Sequence, residues 1–157
     1  MRKRIIDSDL KQKLGPDRKW LDIEKLAVVE VTSEDDAFPI ESALLPGEVS
    51  GWRASGPGKQ MIRLLFDNPQ RLQLIRLSFE ELEDERTQEY VLRWSPDGGQ
   101  SYREIIRQQW NFNPEGATSE TESYQVDLSA VTILELSINP DISGRNSFAS
   151  LEELRLA

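Results

Sequence analysis

The sequence predicts an all-β fold, an eight-stranded jelly-roll β-sandwich with a short helical extension at its N-terminus. From Leu26 onward, apolar residues alternate with polar ones or form short runs separated by Gly, Pro, Asn and Asp, which is typical of strands and turns. No long segment has a helical period, which argues against a parallel α/β fold. The predicted strands are Leu26–Val31, Met61–Phe66, Leu72–Phe79, Tyr90–Ser95, Tyr102–Arg107, Tyr124–Leu128, Val131–Ile138 and Ser150–Leu156.

The first 25 residues differ from the rest and are interpreted as a separate extension, with the sandwich occupying residues 26–157. A short helix is predicted over Leu10–Leu14, because acidic and hydroxyl residues before it can cap its N-terminus. Gly15 and Pro16 would end that helix. We expect the extension to pack against one end of the sandwich.

A β-hairpin is the clearest local signal in the chain. Tyr90, Leu92 and Trp94 alternate with polar or smaller residues and lead into a Ser-Pro-Asp-Gly-Gly turn at Ser95–Gly99. Proline presets φ for a turn, and the two glycines tolerate positive φ. We therefore expect Trp94 to face the core rather than a ligand.

Other segments are predicted to be loops or a short helix. Phe38–Leu45 has proline early and leucine at helical spacing, which predicts a helical turn between the first strand and the loop that carries Trp52. Asp67–Pro69 is predicted to be a turn between two strands. Glu80–Arg86 is a run of charges and reads as a solvent-exposed loop, as does the small and polar stretch Pro114–Ser123.

The amino-acid composition excludes several classes of enzyme. Histidine and cysteine are absent, which excludes Ser-His-Asp triads, cysteine nucleophiles, thiolate zinc sites and disulfides. Carboxylates are plentiful but occur in runs without an aromatic wall to raise one pKa, so they do not indicate a glycosidase pair. The sequence predicts a protein without catalytic activity.

Charge separates the two parts of the chain. The net charge is −9, of which the first 25 residues contribute +3 and residues 26–157 contribute −12. An acidic body repels phosphate backbones and anionic lipids, so neither nucleic acid nor membrane is the expected partner. No apolar run approaches the roughly 20 residues that span a bilayer, and the basic start is not followed by an apolar signal segment, so we expect a cytoplasmic protein.

The order of these features resembles a known family. The segments that carry the likeness are Val29–Ser33, Ile40–Leu44, Gly51–Ser55, Gln60–Phe66, Leu72–Leu77, Tyr90–Gly99 and Phe148–Leu156. Together they are similar to the discoidin family, the coagulation-factor type C domains among the galactose-binding-like β-sandwiches. The resemblance extends to carbohydrate-binding modules of that fold and implies a binding function.

The resemblance also raises the question of calcium. Members that hold a structural calcium ion have an aspartate after the short helix, a cluster of backbone carbonyls and a glutamate near the last strand. Here the matching segment is Leu45–Glu48, which lacks the aspartate. We expect no cofactor. Calcium needs several oxygen ligands, and the candidate ligands here are Glu48 and Glu153.

By this resemblance, ligands bind at the loops at one end of the sandwich. Those loops are Ser33–Ala37, Arg53–Lys59 and Glu80–Gln88, with Trp110–Asn113 adjoining them. Their acidic tips differ from the apolar and basic tips that phospholipid-binding relatives present.

The candidate ligand-binding residues are Trp110, Asn111, Phe112, Asn113 and Arg53. Sugars are held by an aromatic face against the ring and by planar polar groups at the hydroxyls, and the Trp-Asn-Phe-Asn segment offers both. The alternative is that Trp110 and Phe112 face the core as alternate residues of a strand. Arg53 could grip hydroxyls or pair with one of the nearby acids, whereas Trp52 is expected to be structural.

Two functions follow from these observations. The first is a non-catalytic module that binds carbohydrate through the loops at one end. The alternative is an intracellular protein–protein interaction module whose acidic loops meet a basic partner. The sequence leaves the ligand and the oligomeric state open.

Overall fold

The computed structural model describes residues 20–48 and 50–157, so the helix predicted at Leu10–Leu14 lies outside the described residues. The described part is built almost entirely of antiparallel strands, which confirms the all-β prediction. Its elements are α1 (Ile23–Leu26), β1 (Ala27–Val31), α2 (Glu41–Leu44), β2 (Trp52–Pro57), β3 (Gln60–Glu80), β4 (Arg86–Ser95), β5 (Arg103–Phe112), β6 (Ser119–Asn139), β7 (Phe148–Leu151) and β8 (Glu153–Leu156). None of the described helices is long and apolar enough to cross a membrane.

Two long strands replace four predicted ones. Strands β3 and β6 each contain 21 residues, and they pair with each other along nearly their whole length. Their register shifts between Leu65 and Leu74, so the Asp67–Pro69 segment is a bend within β3 and not a turn. A bulge lets a strand bend without ending, and it also tolerates the missing N–H of Pro69.

The two long strands supply both layers of the sandwich. The first half of β3 and the second half of β6 belong to a sheet with the order β1-β3-β6-β4-β5, while β8 pairs with the second half of β3. Phe79 and Tyr124, on the other halves, contact Tyr90 of β4 although they are not its neighbours in the sheet. The Phe79 and Tyr90 rings stack at 5.0 Å, and the Tyr90 and Tyr124 hydroxyls are hydrogen-bonded. The core therefore lies between two layers.

A short second sheet joins parts of the chain that the pattern did not predict to pair. The segment after Trp52, expected to be a loop, is strand β2, and it pairs with β7. The predicted last strand is divided at Glu152 into β7 and β8, because Glu152 donates its backbone N–H to Ser78 while the two halves pair with different strands. This sheet forms one wall of the cleft described below.

The structure confirms the hairpin turn that the sequence predicts at Ser95–Gly99. Gly98 and Gly99 have φ of 71° and 96°. Asp97 accepts hydrogen bonds from the side chains of Ser95 and Ser101, at 2.7 and 2.6 Å. Trp94 is buried in the core, as expected.

Candidate functional site

A surface cleft lies where several loops meet at one end of the sandwich, and we call it the end cleft. It has a volume of about 200 Å³. Its walls come from the loop before α2, the start of β2, the β3–β4 loop and the β7–β8 junction. The lining residues are Phe38, Ser50, Trp52, Arg53, Glu80, Glu81, Leu82, Glu83, Ser150, Leu151 and Glu152.

Among the described residues, Arg53 is the only cation in this lining. It is exposed, and its guanidinium lies over the Phe38 ring at 5.6 Å from the ring centre. Its backbone is fixed on both sides, since Asp35 N donates to Arg53 O at 2.8 Å and Arg53 N donates to Phe38 O at 3.1 Å. No acidic side chain of the described residues forms an ion pair with Arg53. A planar, charged donor beside an aromatic ring suits a sugar hydroxyl pair.

Trp52 plays the structural role expected of it. Its side chain is fully buried, and its indole N–H donates to Ser33 O at 3.0 Å. It therefore supports the floor of the end cleft from below and joins the loop after β1 to β2.

Carboxylates dominate the rest of the lining. Burial raises the pKa of Glu152, and the negative charges of Glu80 and Glu153 add to that rise. Burial also acts to raise the pKa of Glu81, but hydrogen bonds from Arg86 and from the backbone of Glu83 outweigh it and leave the pKa lowered. The cleft thus offers acceptors for hydroxyl groups and a field that repels anions.

The buried Arg86 holds the wall of this cleft, although its segment Glu80–Arg86 predicts a solvent-exposed loop. Its Nε donates to Glu81 Oε1 at 2.7 Å, and its Nη1 donates to Pro140 O at 2.9 Å. The guanidinium also lies 4.9 Å from the centre of the Phe112 ring. A signal was present, because Arg86 continues the inward alternation of Tyr90, Leu92 and Trp94 backward along β4.

The predicted aromatic segment is largely structural. Phe112 is fully buried, so its ring has no face for a ligand, and Trp110 is partly buried against the core. Asn111 is exposed, but its Oδ1 accepts a hydrogen bond from Thr87 Oγ1 at 2.8 Å. Asn113 Oδ1 accepts from Glu115 N at 2.9 Å and shapes the following turn. None of the four lines the end cleft with Arg53. Phe112 therefore faces the core as a strand residue, which is the alternative to ligand binding that the sequence leaves open.

Trp110 lies beside a buried polar side chain, that of Gln88. Gln88 lies directly opposite Trp110 in the β4–β5 register, and neither the Gln88 amide nitrogen nor the Trp110 indole nitrogen has a hydrogen-bond partner among the described residues. Glu120 is also buried, with both carboxylate oxygens unpaired in the described part of the chain. Burial and the nearby Glu122 raise the pKa of Glu120 to about 7.

The residues proposed for calcium do not fit that ion. Glu48 is exposed, and Glu153 lies 3.6 Å from Arg76 and 3.9 Å from Arg155. The Arg155 guanidinium donates to the carbonyls of Ala43 and Leu45, at 2.9 and 3.1 Å. A cation there would meet a fixed positive charge. In residues 20–48 and 50–157 no three acidic side chains gather in a way that could hold a metal.

Solved carbohydrate-binding structures share this fold. A pectin-binding carbohydrate-binding module matches with a TM-score of 0.59 and 17% identity, over 83% of this chain and 89% of that chain. A CBM32 module from Clostridium perfringens, solved with GalNAc-β-1,3-galactose, matches with a TM-score of 0.64 and 17% identity, over 88% and 99%. A fucosidase from Ruminococcus gnavus, solved with fucose, matches with a TM-score of 0.71 and 10% identity, over 96% of this chain and 28% of that chain.

These likenesses establish the fold alone, since the identities are low. They confirm the galactose-binding-like sandwich that the order of segments from Val28 to Leu156 indicated. No family model and no curated protein matches the chain.

Proposed function

We propose that this chain is a non-catalytic carbohydrate-binding domain that holds an uncharged sugar in the end cleft. The observation that carries the proposal is the cleft itself, in which the Arg53 guanidinium, the Phe38 ring and several carboxylates meet at one end of the sandwich. Pyranose recognition needs this combination of planar polar groups with an apolar surface.

Arg53 and Glu152 supply complementary hydrogen-bonding groups. The Arg53 guanidinium can only donate, so it would hold the ring or hydroxyl oxygens of a sugar. A carboxylate such as Glu152 accepts from hydroxyl hydrogens when it is ionised. Phe38 contributes apolar surface beneath Arg53.

The acidic lining sets the class of sugar. Within the part of the chain that the structure describes, four glutamates and one arginine line the end cleft. A sugar that carries its own carboxylate would be repelled by this excess of negative charge. We therefore expect hexoses and N-acetylhexosamines to bind there and uronic acids to be rejected.

The test is an NMR titration of the full chain with galactose, glucose, mannose, fucose and N-acetylgalactosamine. We expect at least one sugar to shift the backbone amides of Phe38, Arg53 and Glu83. Arg53→Ala should weaken that binding about tenfold, as expected for the loss of a charged hydrogen bond.

Arg71→Ala is the matched control. Arg71 is exposed and pairs with Asp127 at 3.2 Å. It lies nine residues from Glu80 along β3, which is about 30 Å of strand. This variant should bind as the parent does. Equal binding by both variants, or no shifts with any sugar, would refute the proposal.

The absence of catalysis is tested separately. The same chain should release no nitrophenol from the nitrophenyl glycosides of the sugars that bind. Release that Glu152→Gln or Glu83→Gln abolishes would instead make the end cleft an active site.

A further inference from the structure

A second cleft lies beside the turn between β2 and β3 and the loop that follows β6, and we call it the basic cleft. It is lined by residues 57–59 and by residues 139–146 except Ser143, and its volume is about 380 Å³. That volume falls in the range of roughly 300–1,000 Å³ that small-molecule sites occupy.

Backbone hydrogen bonds fix the shape of the basic cleft. Gly58 N donates to Ser147 O at 3.1 Å, which joins the turn to the loop. Ile142 N donates to Thr87 O at 2.9 Å, which holds the loop against β4. The walls are therefore in place before a ligand arrives, and binding does not have to order them.

Asp141 is buried and stabilises the loop that follows β6 through hydrogen bonds. It is only 4% exposed, and its Oδ1 accepts from Ser143 N at 3.0 Å and from Ser143 Oγ at 2.6 Å. Burial acts to raise its pKa, but the Ser143 hydrogen bonds and the charge of Arg145 outweigh burial and leave the pKa lowered. Asp141 is thus a fixed negative charge at neutral pH.

That charge positions Arg145 at the cleft. Asp141 Oδ2 has no hydrogen-bond partner among the described residues, and it lies 3.8 Å from Arg145 Nε. Arg145 Nη1 donates to Glu85 O at 3.2 Å, which anchors one side of the guanidinium. The side chain is still 68% exposed, so the rest of the guanidinium is accessible to a ligand.

The charge balance here is the reverse of that in the end cleft. Among the described lining residues, two exposed cations, Lys59 and Arg145, face a single carboxylate, that of the buried Asp141. This excess of positive charge occurs in a body whose net charge is −12. The lining also contains two amide side chains, Asn139 and Asn146, and an apolar side chain, Ile142, that is 46% exposed.

We propose that the basic cleft is a second saccharide site and that it takes an acidic sugar, a uronic acid. The ligand carboxylate would be held by Lys59 and Arg145, and its hydroxyls by the two asparagine amides. Ile142 provides apolar surface for one face of the ring. That the ligand is a saccharide rests on the proposed function; that it is anionic rests on the charges of this cleft.

The experiment compares D-galacturonic acid with galactose, because the two differ only in a carboxylate that replaces a hydroxymethyl group. In NMR titrations of the full chain, galacturonic acid should shift the amides of Lys59 and of residues 141–146, and galactose should not. The affinity should fall as salt rises, since the contacts are charged and exposed.

Variants identify the groups responsible. Lys59→Ala and Arg145→Ala should each weaken galacturonic acid binding about tenfold. Lys25→Ala and Arg71→Ala remove the same charges from exposed ion pairs outside both clefts, and they should change it less than about twofold. Lys59 and Arg145 are exposed, so their variants should fold; the spectrum without ligand checks this.

The outcomes separate the two proposals. Galacturonic acid shifts that persist in Lys59→Ala and Arg145→Ala, or that occur only at the end cleft, would overturn the second site. So would equal shifts of the basic cleft by galactose. If galactose shifts the end cleft while galacturonic acid shifts nothing, the second site alone fails. If galacturonic acid binds as described but no uncharged sugar binds, the end cleft proposal alone fails.

Discussion

Arg86 and Glu81 form a buried ion pair, with 2.7 Å between Arg86 Nε and Glu81 Oε1 and with the Arg86 side chain fully excluded from solvent. Glu81 lines the end cleft, while Arg86 Nη1 donates to the carbonyl of Pro140, which lines the basic cleft. One guanidinium therefore supports a wall of each cleft. This contact makes Arg86 a structural link between the two proposed sites.

We expect Arg86→Ala to destabilise the protein by about 3 kcal/mol or more, because removing one partner of a buried ion pair leaves the other charge uncompensated. The change also removes the guanidinium that packs on Phe112. Urea unfolding followed by tryptophan fluorescence measures the effect. Arg71→Ala, which breaks an exposed pair, should cost no more than about 1 kcal/mol; a similar loss in both variants would contradict the structural role of Arg86.

Glu120 should make stability depend on pH. Its pKa is raised from 4.5 to about 7 in the folded protein, and Glu122, Tyr90 and Tyr124 are titratable groups of the described residues that interact with it. Between these pH values the folded state holds a proton that the unfolded state has lost. The free energy of unfolding should therefore fall as pH rises from about 4.5 to about 7, by up to roughly 3 kcal/mol, and level off above that.

Glu120→Gln tests this assignment, since an amide does not titrate. Urea unfolding across this pH range should show a flatter dependence in Glu120→Gln than in the parent chain. Glu115→Gln changes an exposed glutamate in the β5–β6 loop and should keep the parent slope. An unchanged slope in Glu120→Gln would mean that another group titrates.

Gly51 is expected to tolerate no side chain. Its φ is +70°, and an added Cβ would lie 2.8 Å from the backbone oxygen of Leu151, at the start of the β2–β7 pair. Gly51→Ala should cost about 2 kcal/mol or more, from the left-handed backbone and the clash with main chain. Gly56→Ala, where an added Cβ meets no atom within 4 Å, should change stability by less than about 1 kcal/mol. Thermal unfolding of both variants decides between these values.

Calcium should leave the melting temperature unchanged. Arg155 donates to the carbonyls of Ala43 and Leu45 and places a positive charge beside Glu153. Thermal unfolding in calcium and in a chelator should therefore give the same midpoint. A midpoint raised by calcium would restore Glu48 and Glu153 as ligands, because a ligand that binds only the folded state stabilises it.

Strands and turns could be predicted because their signals are local. Alternation placed Tyr90, Leu92 and Trp94 on the inner face of one strand, and the Ser95–Gly99 turn followed from residues that need particular φ values. Which strands pair with each other was harder to predict from the sequence, because pairing joins distant parts of the chain. The bend at Asp67–Pro69 resembles a turn in sequence, and only its partner strand β6 shows that the strand continues.

In the candidate sites, too, some features could be predicted from the local sequence and others could not. Period-two alternation also foretold that Phe112 would face the core if its segment were a strand, and the structure places it there. The loop position of Arg53 predicts a role in binding, and Arg53 does line a cleft. The basic cleft had no local signal, because Lys59 and Arg145 are far apart in the chain and meet only through the loops that carry them.

By itself, the sequence determined the all-β class, the hairpin, the exclusion of histidine and cysteine chemistry and the acidic character of the body, since these depend on composition and near neighbours. Tertiary structure decided which charges are buried and which line a cleft. Arg155 bonds to Ala43 across 112 residues. Arg86 reaches Pro140 across 54. Whether a charged side chain is paired or faces solvent depends on such distant partners, which are set by the register of long strands and not by the residues beside it.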